Sequence, residues 1–279
     1  AGRMNDLLPR FFRAFVRIFG GTAVGHRDIL AGWMHALIFW GFTVFFIGTL
    51  IIMVDYDVLR FIEPKLQFWK GTFYLWYSMT LDLFGLGFVA GLIVMIARRA
   101  AAPPQLDYAR VNREERQYDR KAYRLDDSLF LWLLLIIGLT GYLVEAVRIV
   151  ADRPDFEVWS VVGWPLANLL SAMRLSASAA SVLHAPIWWI HGLLALGFVA
   201  YIPYSKAVHM LVDIASLVFS EERAGRILPR PVENPAPEHL GYKTIGDFTW
   251  KELIDLDACT KCGRCHISCP AHSSGTPLS

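Results

Sequence analysis

The 279-residue chain has only four cysteines, all of them between Cys259 and Cys269. None is left to pair across the rest of the chain, which excludes a disulfide framework. Charge is also scarce and uneven. The formal net charge is +2, and the charged residues sit between long blocks that carry almost none. The basic residues fall in particular loops, so the balance points to no nucleic-acid partner. Residues Ala1 to Gly25 are basic and aromatic but lack the continuous apolar core and small-residue cleavage site of a signal peptide. No internal repeat is visible. What is present is apolar: 55% of the residues are hydrophobic, 14% are aromatic, and ten are Trp. They gather in blocks, the pattern of a membrane protein rather than of one soluble core.

Four blocks reach the roughly 20 apolar residues needed to cross a bilayer as a helix. They are Ile29 to Val54, interrupted by His35; Gly71 to Ala97, interrupted by Asp82; Ser128 to Ala151, with Glu145 and Arg148 near its end; and Val182 to Tyr204, which contains His184 and His191. Helices are required because backbone polar groups find no water in hydrocarbon. The expected fold is therefore an all-α membrane protein of four transmembrane helices.

The flanking charges set an expected orientation. Five Arg lie in Ala1 to Asp28 and eight Lys or Arg in Arg98 to Asp127, against three in Asp55 to Lys70 and two in Asp152 to Ser181. The positive-inside rule then places both termini in the cytoplasm. Leu7 to Phe19 interleaves Arg with Phe, Val and Ile at helical spacing, as an interfacial helix does. Phe156 to Met173, with Trp159 and Trp164, is expected on the outer surface. The expected organisation is an interfacial segment (1–28), a membrane domain (29–220), a Pro-rich linker (221–240) and a small cytoplasmic segment (241–279).

That last segment carries the most specific motif. Cys259, Cys262, Cys265 and Cys269, followed by Pro270, read C-x2-C-x2-C-x3-C-P, the bacterial ferredoxin spacing. Thiolates are soft donors that suit iron–sulfur clusters. In this pattern the first three cysteines bind one cluster and the fourth reaches a second. A zinc site is the alternative, but zinc ligands usually come as two separated halves. A second such run is expected to complete both clusters, and no Cys follows Pro270. Either a partner supplies the rest or the chain is a fragment; the expected reading is a fragment ending within a ferredoxin-like α+β iron–sulfur segment.

Histidines within or near the spans are candidate axial ligands of b-type haem. His191 and His209 are 18 residues apart, five turns of one continuous helix, so on that count they share a face. His184, seven residues before His191, lies near the same face and is a weaker alternative. By depth, His26 pairs with His209 near the cytoplasm, and His35 with His191 farther out. Nine residues rotate a straight helix by about 180°, so this pairing needs a bend, or His26 placed before the helix proper. The alternative for any membrane histidine is a hydrogen-bonded packing residue.

Among the other polar residues, Asp82 is costly inside a span and stands either as a proton carrier for quinone or as a helix–helix hydrogen bond. Glu145 and Arg148, three apart, most simply pair with each other. Lys206 either neutralises a haem propionate or snorkels to lipid headgroups.

Three stretches carry a resemblance: His26 to Phe42, Ile190 to Met210, and Asp247 to Pro270. The chain resembles the haem b membrane domain of the nitrate reductase gamma subunit, fused to an iron–sulfur domain like that of heterodisulfide reductase. It is most similar to fused oxidoreductases that pass electrons from electron-transfer flavoprotein to menaquinone in actinobacteria and relatives. The resemblance implies two b haems ligated by His26 with His209 and His35 with His191. It also implies a quinone site beside a haem, two [4Fe-4S] clusters, a further cysteine-rich region, and a place in the bacterial cytoplasmic membrane. The family usually has a fifth, N-terminal membrane helix, which is missing here. The expected function is electron transfer from a cytoplasmic donor, through clusters and haem, to menaquinone. The alternatives are a quinol-oxidising subunit of a heterodisulfide-, sulfite- or nitrate-reductase-like complex, a non-catalytic membrane anchor, and a receptor or transporter with a regulatory cluster. The last does not explain the histidines.

Overall fold

The computed structural model describes residues 6–21, 24, 28–101, 120–220, 244–260, 265 and 268–274, with backbone alone at 120–127, 272 and 273. His26, Cys262 and the Pro-rich stretch lie outside the described residues. The chain divides into two compact units, residues 24–201 and residues 1–23 with 202–279.

The first unit is a bundle of four antiparallel helices, each packed on the next in chain order. Helix α2 (Ile29–Ile52) starts at Asp28, whose carboxylate accepts the Ala31 N–H at 2.9 Å and pairs with Arg98. The helix continues through a π-helical stretch, Met53–Leu59, giving an apolar run over Ile29–Ile62. Asp55 within that stretch is 2% exposed. Its carboxylate accepts the backbone N–H groups of Phe68 (2.6 Å) and Trp69 (3.1 Å) and the Gln67 amide (3.3 Å), which ties down the connection to the next helix.

Helix α3 (Gly71–Ala100) ends on Arg98 and Arg99, cations that suit a helix C-terminus. It lies close against α2 because glycines face large side chains. A Cβ at Gly41 would stand 2.5 Å from the Phe88 Cβ. Small residues at such crossings replace the hydrophobic drive that lipid removes. Helix α4 (Arg120–Asp152) contributes the apolar span Ser128–Asp152. After a 3-10 turn at Asp155–Trp159, the short helix α5 (Gly163–Ala172) folds back onto α4. Helix α6 (Ala177–Tyr201) completes the bundle, with Pro186 inside it. Ala146, Val147, Ile149 and Val150 of α4, Ala167 of α5 and Ala180 of α6 form one buried cluster. Many large apolar side chains face outward instead, among them Trp33, Ile47, Trp189 and Leu193. That inside-out distribution belongs to a bundle whose solvent is lipid.

In the second unit, α1 (Leu7–Phe19) has the bounds expected from sequence. Leu8, Phe11 and Phe12 are exposed while Ala14 is buried. Arg10 donates to the Ser220 carbonyl at 2.9 Å, joining α1 to the end of α7 (His209–Val218). Helix α8 (Trp250–Asp257) begins with a reciprocal capping box. Thr249 Oγ1 accepts from Glu252 N–H, and the Glu252 carboxylate accepts from Thr249 N–H at 2.8 Å. Phe219 and Trp250 meet edge to face at 5.2 Å, and Ser216 donates to Asp255 at 2.6 Å.

The four expected spans are present, at Ile29–Ile62, Gly71–Ala100, Ser128–Asp152 and Ala177–Tyr204. One expectation is not shown and another is corrected. No strand occurs among the described residues, so the iron–sulfur segment does not show the expected α+β form there. The helix through His191 does not run on to His209. Two 3-10 turns, Ile202–Tyr204 and Lys206–Val208, flank an extended Ser205 (φ −122°, ψ 175°). Pro203 supplies no N–H to a continuing helix, and the Ser205 hydroxyl accepts the Ala207 N–H at 3.1 Å to start the next turn. The five-turn count between the two histidines therefore fails.

Candidate functional site

In the four-helix unit His191 is half-buried on α6, facing Thr140 and Gly141 of α4. Its Nδ1 is 3.0 Å from Thr140 Oγ1. The Thr140 hydroxyl has one hydrogen, and it donates to the Ile136 carbonyl at 2.8 Å, one turn back. Its oxygen is thus the acceptor and Nδ1 carries the proton. The lone pair of His191 is left on Nε2, the nitrogen an axial ligand offers. A hydrogen bond to the other ring nitrogen is how ligating imidazoles are held in one tautomer and orientation. Gly141 gives the ring its room: a Cβ there would already touch His191 Cε1 at 3.4 Å.

His209, in the other unit, is arranged alike by a different local device. Its Nδ1 bonds the Lys206 carbonyl, which can only accept, so Nε2 again holds the lone pair. Burial lowers the His209 pKa below its ordinary value, against the pull of Asp213, and the neutral imidazole is the ligating form. Asp213 is raised by its own burial, with His209 acting in the opposite direction. Lys206 is half-buried in the 3-10 turn that supplies the carbonyl.

His35 is half-buried on α2, its ring parallel to Phe39 at 6.4 Å. Helices α2 and α6 meet through Phe42 and Phe198 at 6.0 Å. Each phenylalanine lies seven residues beyond its helix's histidine. Because the helices are antiparallel, His35 and His191 stand on opposite sides of that contact along the bundle. His184 is half-buried on α6, two residues before Pro186. The donor chemistry of His191 and His209 fits a haem iron. His26, the fourth expected ligand, lies outside the described residues.

Asp82 is 3% exposed and held by structure that the sequence did not reveal. Its Oδ2 accepts the N–H groups of Val162 (2.7 Å) and Gly163 (3.2 Å), at the start of α5. Its side chain also meets the Glu145 carboxyl, and Tyr142 donates to its backbone carbonyl at 2.6 Å. The expected pairing of Glu145 with Arg148 is corrected. Arg148 instead pairs with Glu157 at 2.7 Å and donates to Tyr74 at 3.1 Å. The Glu157 side chain is fully buried, so it claims the available cation. Burial pushes the Glu157 carboxyl up, but bonds from Arg148, Tyr74 and Ser160 outweigh it and hold the group below its ordinary value. Glu145 turns to Asp82, Ser78 and Ser160.

Cys259 and Cys265 are exposed and Cys269 is partly so. Among the described residues no three His, Cys, Asp or Glu side chains are gathered as a metal site. Cys262 falls outside them, so the four-thiolate set is not complete there.

Residues 252–273 match the family described as 4Fe-4S binding domain. The chain is 33% identical to the EtfAB:quinone oxidoreductase of Syntrophomonas wolfei over 288 residues, covering 99% of this chain and 37% of that protein. It is 26% identical over 275 residues to a probable iron–sulfur-binding oxidoreductase of Bacillus subtilis, covering 97% of this chain and 35% of the relative. A probable membrane-anchored ferredoxin of Chromohalobacter salexigens is 32% identical over 126 residues, covering 42% of this chain and 19% of its own length. No solved structure matches. The chain thus spans little more than a third of its two longest-matching relatives. It is similar along nearly all of its own length to iron–sulfur oxidoreductases, and it carries four helices able to cross a membrane beside a 4Fe-4S binding segment.

Proposed function

We propose that this chain is the membrane electron-transfer part of a larger quinone-linked oxidoreductase. Electrons enter from electron-transfer flavoprotein through [4Fe-4S] clusters, cross to b haem, and reduce menaquinone. The observation that carries the reading is the likeness to EtfAB:quinone oxidoreductase over 99% of this chain, spanning both the membrane helices and the cysteine run. Cys259, Cys262 and Cys265 ligate one cluster and Cys269 contributes to a second. A bound b haem supplies a one-electron carrier inside the bilayer. His191 and His209 would each present Nε2 to one of two b haems, with His35 and His26 as the respective partner ligands that the family resemblance implies. Thr140 fixes the His191 tautomer, and the Lys206 backbone fixes that of His209. Lys206 also supplies a cation for a propionate. The basic N-terminal stretch and the basic α3–α4 connection support a cytoplasmic position for the cysteine segment at the bacterial inner membrane, where a soluble flavoprotein would reach it.

The full-length protein, purified in detergent, tests this directly. Its dithionite-reduced spectrum should show b-type haem, and reduced electron-transfer flavoprotein should drive reduction of a short-chain menaquinone. Absence of a haem band, or flavoprotein oxidation without quinol formation, would sink the reading.

A further inference from the structure

Within residues 24–201 a line of hydrogen bonds connects the Asp82–Glu145 pair with a cavity. From Glu145 the contacts run to Ser78 (3.4 Å), from Ser78 to Ser160 (2.8 Å), and from Ser160 to one Glu157 oxygen (2.7 Å). The other Glu157 oxygen accepts from Tyr74 at 2.6 Å. Asp82, Ser78, Ser160 and Glu157 are all buried. Tyr74 and Arg148 then line a cavity of about 570 Å³, together with Trp69, Lys70, Leu75 and Phe156. Its size suits a small-molecule ligand.

The character of the wall limits what fits. Its rings are Trp69, Tyr74 and Phe156, and its side-chain polar groups are an indole N–H, a phenol, a guanidinium and an ammonium. Glu157 does not line it. The Trp69 indole N–H is buried and finds no acceptor among the described residues, a donor left over by their own bonding. A flat apolar ring bearing carbonyl oxygens matches such a wall.

The hydrogen count along the line matters too. Five contacts join Asp82, Glu145, Ser78, Ser160, Glu157 and Tyr74 in series. The three hydroxyls bring one hydrogen each. Two carboxyl protons are needed to fill the remaining contacts, and a quinone consumes two protons when it takes two electrons.

We propose that this cavity holds the quinone ring, and that the side chains from Tyr74 back to the Asp82–Glu145 pair store and deliver the protons of its reduction. This rests on the quinone-linked reading above. Two electrons arrive singly from the chain's own carriers, and each carbonyl oxygen gains one proton as quinone becomes quinol. Glu157, a carboxylate at rest, first takes up a proton from the carboxyl pair by way of Ser78 and Ser160. Tyr74 then gives its own proton to a carbonyl oxygen and regains one from Glu157, which returns to the carboxylate. A second passage completes the quinol. The pair refills from water after the quinol leaves.

The test uses the full-length protein in nanodiscs, reduced by its flavoprotein donor. Two acceptors are compared: a short-chain menaquinone, and ferricyanide, which takes one electron and no proton. Trp69→Phe should raise KM for the quinone about tenfold, the loss of one hydrogen bond of ~1.4 kcal/mol. Glu145→Gln should lower the quinone kcat at least tenfold with KM within twofold and add a solvent deuterium isotope effect. Ferricyanide rates should be unchanged in both. If Glu145→Gln loses the ferricyanide rate too, it has failed to fold, and the Ser78→Ala, Ser160→Ala double variant takes its place with the same expected kcat loss. Wild-type protein that reduces quinone while the variants match it overturns this inference alone. Wild-type protein that reduces ferricyanide but not quinone overturns the functional reading, and this inference with it.

Discussion

Thr140→Val is the sharpest perturbation of the proposed haem site. Valine copies the shape of threonine and removes only the hydroxyl that accepts from His191 Nδ1 at 3.0 Å. The helix around it keeps its own bonds, because the Thr140 hydroxyl donates to Ile136 and Ile137 carbonyls that are already engaged in α4. Loss of an outer-shell partner typically costs 10–100-fold in affinity for the ligated centre. A fallback exists here, since the Ile137 carbonyl lies near the imidazole and can take over as acceptor. The expected loss is therefore at the low end, about tenfold or ~1.4 kcal/mol. The assay is the rate at which haem leaves the purified full-length protein for an excess of apomyoglobin, followed by absorbance. Thr140→Ser, which restores an acceptor, should behave as wild type. If Thr140→Val releases haem no faster than wild type, or Thr140→Ser releases it as fast as Val, the tautomer argument is refuted.

Four further outcomes are expected. Gly85→Ala places a Cβ 2.5 Å from the Tyr142 hydroxyl and 2.8 Å from Phe45, so it should cost about 1–3 kcal/mol and lower Tm. Gly87→Ala meets only the flexible end of Leu37 at 3.3 Å and should be nearly silent in the same melt. Glu157→Gln leaves Arg148 without its carboxylate. Because Arg148 is 32% exposed, the loss should fall near the lower end for a buried pair, about 3 kcal/mol. Glu157 titrates below its ordinary value when folded, so its stabilisation is complete above about pH 4.3 and fades as pH falls through the folded pKa. Wild type and Glu157→Gln should thus converge in Tm on acidification, and a constant gap would contradict the pairing. Cys265→Ser should abolish the paramagnetic signal of one reduced [4Fe-4S] cluster while leaving haem content unchanged, as measured by electron paramagnetic resonance and optical spectra on the same sample.

The spans were legible because hydropathy specifies them: their length and the scarcity of charge within them are those of bilayer-crossing helices. The cysteine run was legible because ligand spacing is local. What the sequence hid was non-local or stereochemical. Glu145 and Arg148 share a helix face three residues apart, yet the fully buried Glu157, on a separate turn, outcompetes Glu145 for the guanidinium. Asp82 gave only the signal of a misplaced charge; that α5 would begin beside it and present two N–H groups is a tertiary fact. The break between His191 and His209 was readable in part. Pro203 sits between them and has no N–H to give a helix continuing toward His209. Thr140 and Gly141 carried no independent mark. They matter only because α6 brings His191 against them.

The buried Asp55 has a consequence for how the protein enters its membrane. The three groups it binds, on Gln67, Phe68 and Trp69, lie only 12 to 14 residues further along the chain. The knot therefore closes within one helical hairpin and asks nothing of α4 or α6. Once that connection has formed, the α2–α3 pair has a locked tip, with glycine-to-phenylalanine contacts holding its stem. The contacts of α4 and α6 are then made with a hairpin whose tip needs neither of them to close.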